Sequence, residues 1–147
     1  MKIFDELRED HEKQRTLLKI LAETSGDTPA RREYYSQLKE QLESHAVAEE
    51  RYFYSKLMES DTTIEMSRHG IAEHHEIDEL IETLDETDMG SSAWLTHLKS
   101  LQKKVEHHLA DEEQEFFQVA GQVLNDQDKN QLAGEYREEM EKELAKH

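Results

Sequence analysis

His45-Ala46-Val47-Ala48-Glu49-Glu50 returns 63 residues later as His108-Leu109-Ala110-Asp111-Glu112-Glu113. In both copies a histidine is followed four residues on by a glutamate. At about 100° and 1.5 Å per residue of α-helix, such a pair lies about 40° apart and about 6 Å along one face. The same offset carries His11 onto His74 and Glu50 onto Glu113. An apolar framework follows: Leu17 falls on Leu80, Leu18 on Ile81, Leu21 on Leu84, Leu38 on Leu101, Leu42 on Val105 and Phe53 on Phe116. Chance is a poor explanation for so many agreements at one offset. The repeated unit is a helical hairpin, and two hairpins make a four-helix bundle.

Few residues interrupt the helical pattern. Ser25-Gly26-Asp27 is the first break, with Thr28 and Pro29 suited to the N-cap and N1 positions of a new helix. The second centres on Asp61, where Thr62 and Glu65 have capping-box spacing. Gly90-Ser91-Ser92 forms the third and Asn125-Asp126 the fourth. Helices are therefore expected at about 3–24, 29–59, 63–88, 92–124 and 127–145. Apolar residues recur at helical spacing along them: Phe4, Leu7, Leu17, Leu18 and Leu21, then Ile71, Ile77, Leu80, Ile81 and Leu84. Trp94, Leu98, Leu101 and Val105 mark the fourth helix, and Leu132, Tyr136, Met140 and Leu144 the last. The expected fold is all-α, an up-down-up-down four-helix bundle over 1–124. An additional short C-terminal helix, 125–147, would cover one end of the same domain.

The length of 147 residues suffices for one domain with a real core. There are 18 basic and 35 acidic residues, a formal net charge of −17. Such a surface repels phosphate backbones and anionic headgroups, which argues against nucleic-acid and membrane partners. No apolar run reaches the roughly 18 residues of a membrane span. The start of the chain lacks the basic, then apolar pattern of a signal peptide, so a cytoplasmic location is expected. With no cysteine, disulfides, thiolate metal sites and thiol catalysis are excluded.

His11 lies in the apolar stripe of its helix near Leu7 and Leu18, and His74 lies between Ile71 and Ile77. His45 with Glu49, and His108 with Glu112, turn toward the same interior. Burying these groups without partners would cost a few kcal/mol each. A metal removes that cost, because imidazole and carboxylate become its ligands. Four imidazoles and two carboxylates are too many for one ion and suit two ions bridged by the carboxylates. The donor set fits iron, and by ligand type manganese and zinc as well. The candidate metal ligands are His11, His45, Glu49, His74, His108 and Glu112.

Four motifs, REDHEKQRTLL at 8–18, HAVAEE at 45–50, EHHEIDELI at 73–81 and HLADEE at 108–113, together resemble the hemerythrin, or HHE cation-binding, family over about residues 4–120. The resemblance implies a bundle around a non-haem diiron centre, with two bridging carboxylates and a bridging oxo or hydroxo group. His11 and His45 would bind one iron, His74 and His108 the other, and Glu49 and Glu112 would bridge them. Two positions depart from the family pattern. Oxygen-carrying members have a further histidine one turn before the third-helix histidine, where this chain has Gly70. They also place the last acid as aspartate five residues after its histidine, where Glu113 stands here. Glu112 is preferred as the ligand because its repeat partner is Glu49, with Glu113 the alternative. Losing the extra histidine implies two nearly equivalent irons with open positions on both. That argues for binding or sensing of O2, NO or peroxide, or for iron handling, rather than reversible oxygen carriage. A diiron enzyme acting on peroxide or nitric oxide is the alternative, and a bundle with a purely structural metal is the second.

Among the remaining histidines, His75 and His107 are expected in solvent and His97 at a seam near the bundle end. His69 is about 140° from His74 on a regular helix and joins the site only if Gly70 distorts that helix. Tyr52, two turns from His45, is expected on the ligand face, in the core or closing one end of the pocket.

Overall fold

Pro29 opens the second helix where its missing N–H costs nothing, and the Thr28 hydroxyl before it accepts a hydrogen bond from the Arg31 N–H at 3.2 Å. Gly26, at φ +70°, supplies the left-handed turn that brings the chain there. The structure, a computed structural model, describes residues 2–147. Its helices are α1 (Ile3–Ala22), α2 (29–57), α3 (Ile64–Asp85), α4 (92–123) and α5 (Asp126–Ala145). The first four form the up-down-up-down bundle, and α5 packs against α1 and α2. Among the described residues there is no strand, and no helix is long and apolar enough to cross a membrane.

One start signal works differently from its reading. The capping box at Thr62 and Glu65 does not form, and α3 begins at Ile64. The buried Thr63 hydroxyl instead donates to the Leu57 carbonyl at 2.6 Å, which also accepts from the Ser60 N–H at the end of α2. The last break behaves as its residues suggest. Asn125 and Asp128 cap each other reciprocally, at 2.7 and 3.2 Å.

Two helices are not α-helical throughout. α2 runs Pro29–Ala48, then a π-helical turn Glu49–Tyr54, then Ser55–Leu57. α4 runs Ser92–Asp111, then a π-helical turn Glu112–Phe116, then Phe117–Val123. Each π-turn starts on one of the two repeated glutamates. Residues five apart lie about 140° apart on an α-helix, whereas the i→i+5 bonding of a π-turn brings them onto one face. Consecutive rings therefore both point inward: Phe53 with Tyr54, and Phe116 with Phe117, are all buried. The regular helix assumed for Tyr52 fails for this reason. Tyr52 is only half-buried at the margin of the core, and Tyr54 reaches the interior.

The interior has two apolar cores. Leu18, Leu21, Leu38, Trp94, Leu98 and Leu101 build one end of the bundle. Ile3, Leu7, Phe53, Leu57, Phe117 and Met140 build the other. Each fully buried side chain of this size contributes about 2 kcal/mol. The polar layer between the cores is thus held in place by packing on both sides.

Candidate metal centre

Every one of the six predicted residues is buried in that layer. His11 comes from α1, His45 and Glu49 from α2, His74 from α3, His108 and Glu112 from α4. Donor atoms of His11, His45, Glu49 and Glu112 lie within 4.8 Å of one another, and so do those of Glu49, His74 and His108. Glu49 belongs to both groups. Its Oε1 is 3.3 Å from His45 Nε2 and 3.1 Å from His74 Nε2. Glu112 reaches both sides with separate oxygens, Oε1 at 3.1 Å from His11 Nε2 and Oε2 at 3.6 Å from His108 Nε2.

These separations are short, yet none is aligned as a hydrogen bond. All four Nε2 atoms, both Glu49 oxygens and Glu112 Oε1 are buried without a hydrogen-bond partner among the described residues. Leaving one such group unpaired costs about 1–3 kcal/mol, so seven converging in one layer need another occupant. Spacings near 3 Å are the edges of a coordination polyhedron with ligands at about 2.1 Å. The residues present fit two metal ions.

The opposite ring nitrogens are all engaged. His11 Nδ1 lies 2.7 Å from Glu113, His74 Nδ1 2.7 Å from Glu50, and His108 Nδ1 2.8 Å from Glu73. His45 Nδ1 meets the Tyr136 hydroxyl at 2.5 Å, and that hydroxyl donates to Asp10 at 2.5 Å. Its single proton being committed to Asp10, Tyr136 can only accept from His45. Every imidazole therefore donates through Nδ1 and presents Nε2 to the interior, the orientation a metal needs once that nitrogen carries no proton. Glu113 is thus an outer partner, clamped by Arg15 at 2.8 and 3.1 Å, while Glu112 carries its carboxylate into the layer.

Electrostatics agree with this division. Burial raises the Glu113 and Glu73 carboxyls, but His11 with Arg15, and His108, outweigh it and hold each at about 2. Burial pushes His11 and His74 down, yet the surrounding carboxylates win, raising His11 to about 9 and His74 to about 10. Glu49 is held well below the usual carboxylate range despite burial, by His45 and His74. Glu112 is pushed up by burial and by the charge of Glu49. Without a metal, protons hold this layer together.

Residues 2–120 match the family model described as the hemerythrin HHE cation-binding domain. The chain belongs to that family. Its fold is also similar to the crystal structure of a hemerythrin HHE cation-binding domain-containing protein from Mycobacterium kansasii, at TM-score 0.88 and 19% identity, covering 99% of this chain and 89% of that one. No curated protein matches the sequence.

Of the other histidines in this hemerythrin-like chain, His75 and His107 are exposed and His97 is half-buried. His69 stays outside: α3 is regular through Gly70, and His69 is exposed, 3.5 Å from Glu73. Sequence reasoning missed the outer partners Asp10, Glu50, Glu73 and Tyr136, and also Tyr54, whose hydroxyl donates to Glu112 Oε2 at 2.5 Å. A signal existed for some of them. Asp10 precedes His11 as Glu73 precedes His74, at the same offset of 63. Aspartate is one methylene shorter, and Tyr136 of α5 fills the gap between it and His45. Arg137 beside it anchors α5 to Asp10 at 3.3 Å and to Glu6.

Removing that link has an expected cost. Tyr136→Phe leaves His45 without its Nδ1 partner and should weaken metal binding about 10–100-fold, as losses of outer partners do. Competition titration against a chelator of known affinity measures this; unchanged affinity would show that Tyr136 is mere packing.

Proposed function

We propose that the protein holds two non-haem irons, one between His11 and His45 and the other between His74 and His108, with Glu49 and Glu112 shared. The observation that carries this reading is the set of seven buried, unpartnered nitrogen and oxygen atoms facing one another across the layer. Iron so held supplies exchangeable coordination positions and a ferrous–ferric couple, the chemistry needed to bind or sense O2, NO or peroxide, or to handle iron.

Two cavities support a small ligand. One of about 310 Å³ is lined by Met66, His69, Gly70, Glu73, His108 and Glu112, and joins the surface to the layer. The other, about 10 Å³, is lined by Gln14, His45, His74 and His108 among others. That is close to the space of a single water, which suits a ligand of very few atoms. Gln14 is buried with its amide nitrogen unpartnered, a donor available to such a ligand. The larger cavity also favours a second reading, turnover of peroxide or nitric oxide at the same irons.

Elemental analysis of protein expressed with added iron tests the proposal. About two irons per chain are expected, with a new absorption band when O2 or NO meets the reduced protein. No metal, or a single zinc, in a folded protein would reduce the six residues to a polar core. Catalytic loss of peroxide or NO beyond one equivalent would favour the enzyme.

A further inference from the structure

We infer that Tyr54 is a metal ligand, its phenol oxygen taking the coordination position beside Gly70 on the ion between His74 and His108. The inference rests on the proposal that this layer holds iron.

Position comes first. Tyr54 is fully buried. Its hydroxyl is 2.5 Å from Glu112 Oε2, the oxygen on the His108 side, whereas Glu112 Oε1 faces His11. The ring lies over His74 with centroids 5.5 Å apart and planes 27° from parallel. The phenol oxygen therefore stands at the His108-side oxygen of Glu112, on a ring stacked over His74.

Space comes next. A Cβ at Gly70 would fall 2.5 Å from both Tyr54 Cζ and the hydroxyl oxygen, and 2.8 Å from Cε2. No side chain at 70 can coexist with the phenol where it stands. Glycine in the middle of a helix carries an entropic cost, and the room it makes for Tyr54 explains its presence in α3. The π-turn completes the arrangement, because it swings Tyr54 onto the face of Glu49, five residues earlier.

The internal repeat supplies a control within the molecule. The offset of 63 places Tyr54 on Phe117 and Gly70 on Leu7. Phe117 stacks on His11, centroids 6.0 Å apart and planes at 15°, as Tyr54 stacks on His74. Each half thus lays an aromatic ring over its first histidine. Only one half adds an oxygen, and only that half has the glycine. Phenylalanine satisfies the packing role in the other half, so the hydroxyl at 54 calls for a separate function.

The chemistry is balanced without a redox change. On binding ferric iron the Tyr54 O–H bond breaks and an oxygen lone pair forms the bond to iron. The proton leaves to solvent through the cavity lined by Gly70 and Glu112. A hard oxygen anion suits a ferric ion, whose charge favours the phenolate. The two irons then differ. The His74–His108 ion gains a protein oxygen that the ion between His11 and His45 lacks. This replaces the expectation of two equivalent irons with open positions on both.

The test is the visible absorption and resonance Raman spectrum of the iron-loaded ferric protein, with iron content measured on the same samples. Wild type and Tyr52→Phe should show a phenolate-to-iron charge-transfer band with enhanced ring vibrations. Tyr54→Phe should lose the band while keeping about two irons. Gly70→Ala, which drives a methyl into the phenol, should shift or abolish it, and this variant decides the matter if Tyr54→Phe holds no iron. Two irons without the band in wild type, or a band that survives Tyr54→Phe or is unmoved in Gly70→Ala, would overturn the inference alone. Absence of iron from the wild type would strike the metal reading itself.

Discussion

Glu49→Gln is expected to abolish binding of both metal ions, whereas His11→Gln is expected to remove one. Glu49 is fully buried, and both its oxygens lack a hydrogen-bond partner. It is the residue common to the two donor groups, 3.3 Å from His45 Nε2 and 3.1 Å from His74 Nε2. Glutamine keeps the shape and removes the charge. One unit charge at about 4 Å is worth about 4 kcal/mol even at an effective dielectric constant near 20, which is about a thousandfold in affinity for each ion. His11 lies in one donor group only. Its loss leaves Glu49, His74 and His108 in place around the other ion. Iron per chain on purified variants, beside circular dichroism to establish folding, makes the comparison. Two irons retained in a folded Glu49→Gln protein would remove Glu49 from the site. Equal losses in the two variants would mean that the ions bind only as a pair.

The part of this centre that was legible in the sequence is the part carried by periodicity. His45 with Glu49 and His108 with Glu112 announce themselves because four residues make one helical turn, and the offset of 63 adds His11 and His74. The bundle follows from the same pattern. The outer partners were hidden because each crosses between helices: Glu113 of α4 meets His11 of α1, and Glu50 of α2 meets His74 of α3. Only the packed bundle decides which acid one residue beyond a ligand reaches across. Tyr136 was harder still, since α5 lies outside the repeat and only its apolar spacing is visible. Gly70 illustrates a different limit. Read alone it is an absent histidine, but beside the π-turn it is the space for Tyr54. A π-turn leaves no mark in a 3.6-residue pattern until consecutive buried rings such as Phe53-Tyr54 and Phe116-Phe117 are seen together.

Stripped of metal, the protein is expected to lose stability as pH rises from about 6.5 to about 10, while the metal-loaded form stays level over the same range. His11 is raised from 6.5 to about 9 and His74 to about 10, because Glu112, Glu49 and the outer acids outweigh burial. A histidine bound more tightly to its proton in the folded state stabilises the fold fully below its unfolded pKa. That contribution disappears as pH climbs through the folded value. At about 1.4 kcal/mol per unit, the His11 and His74 shifts are worth on the order of 3 and 5 kcal/mol. The two share Glu49 and Glu112, so their sum is an upper bound. Deprotonation leaves Glu49 beside neutral rings, and the low pKa that His45 and His74 gave it is no longer supported. A metal on the inward Nε2 atoms has already displaced these protons, so nothing is left to titrate. Melting temperatures at pH 6, 8 and 10, with and without chelator, are the measurement. The metal-free form should fall by on the order of 10 °C across the window. A flat or rising metal-free profile would mean that the histidines are neutral and the layer needs no positive charge. That charge, carried by protons in one state and by metal in the other, is what lets four helices close around buried carboxylates.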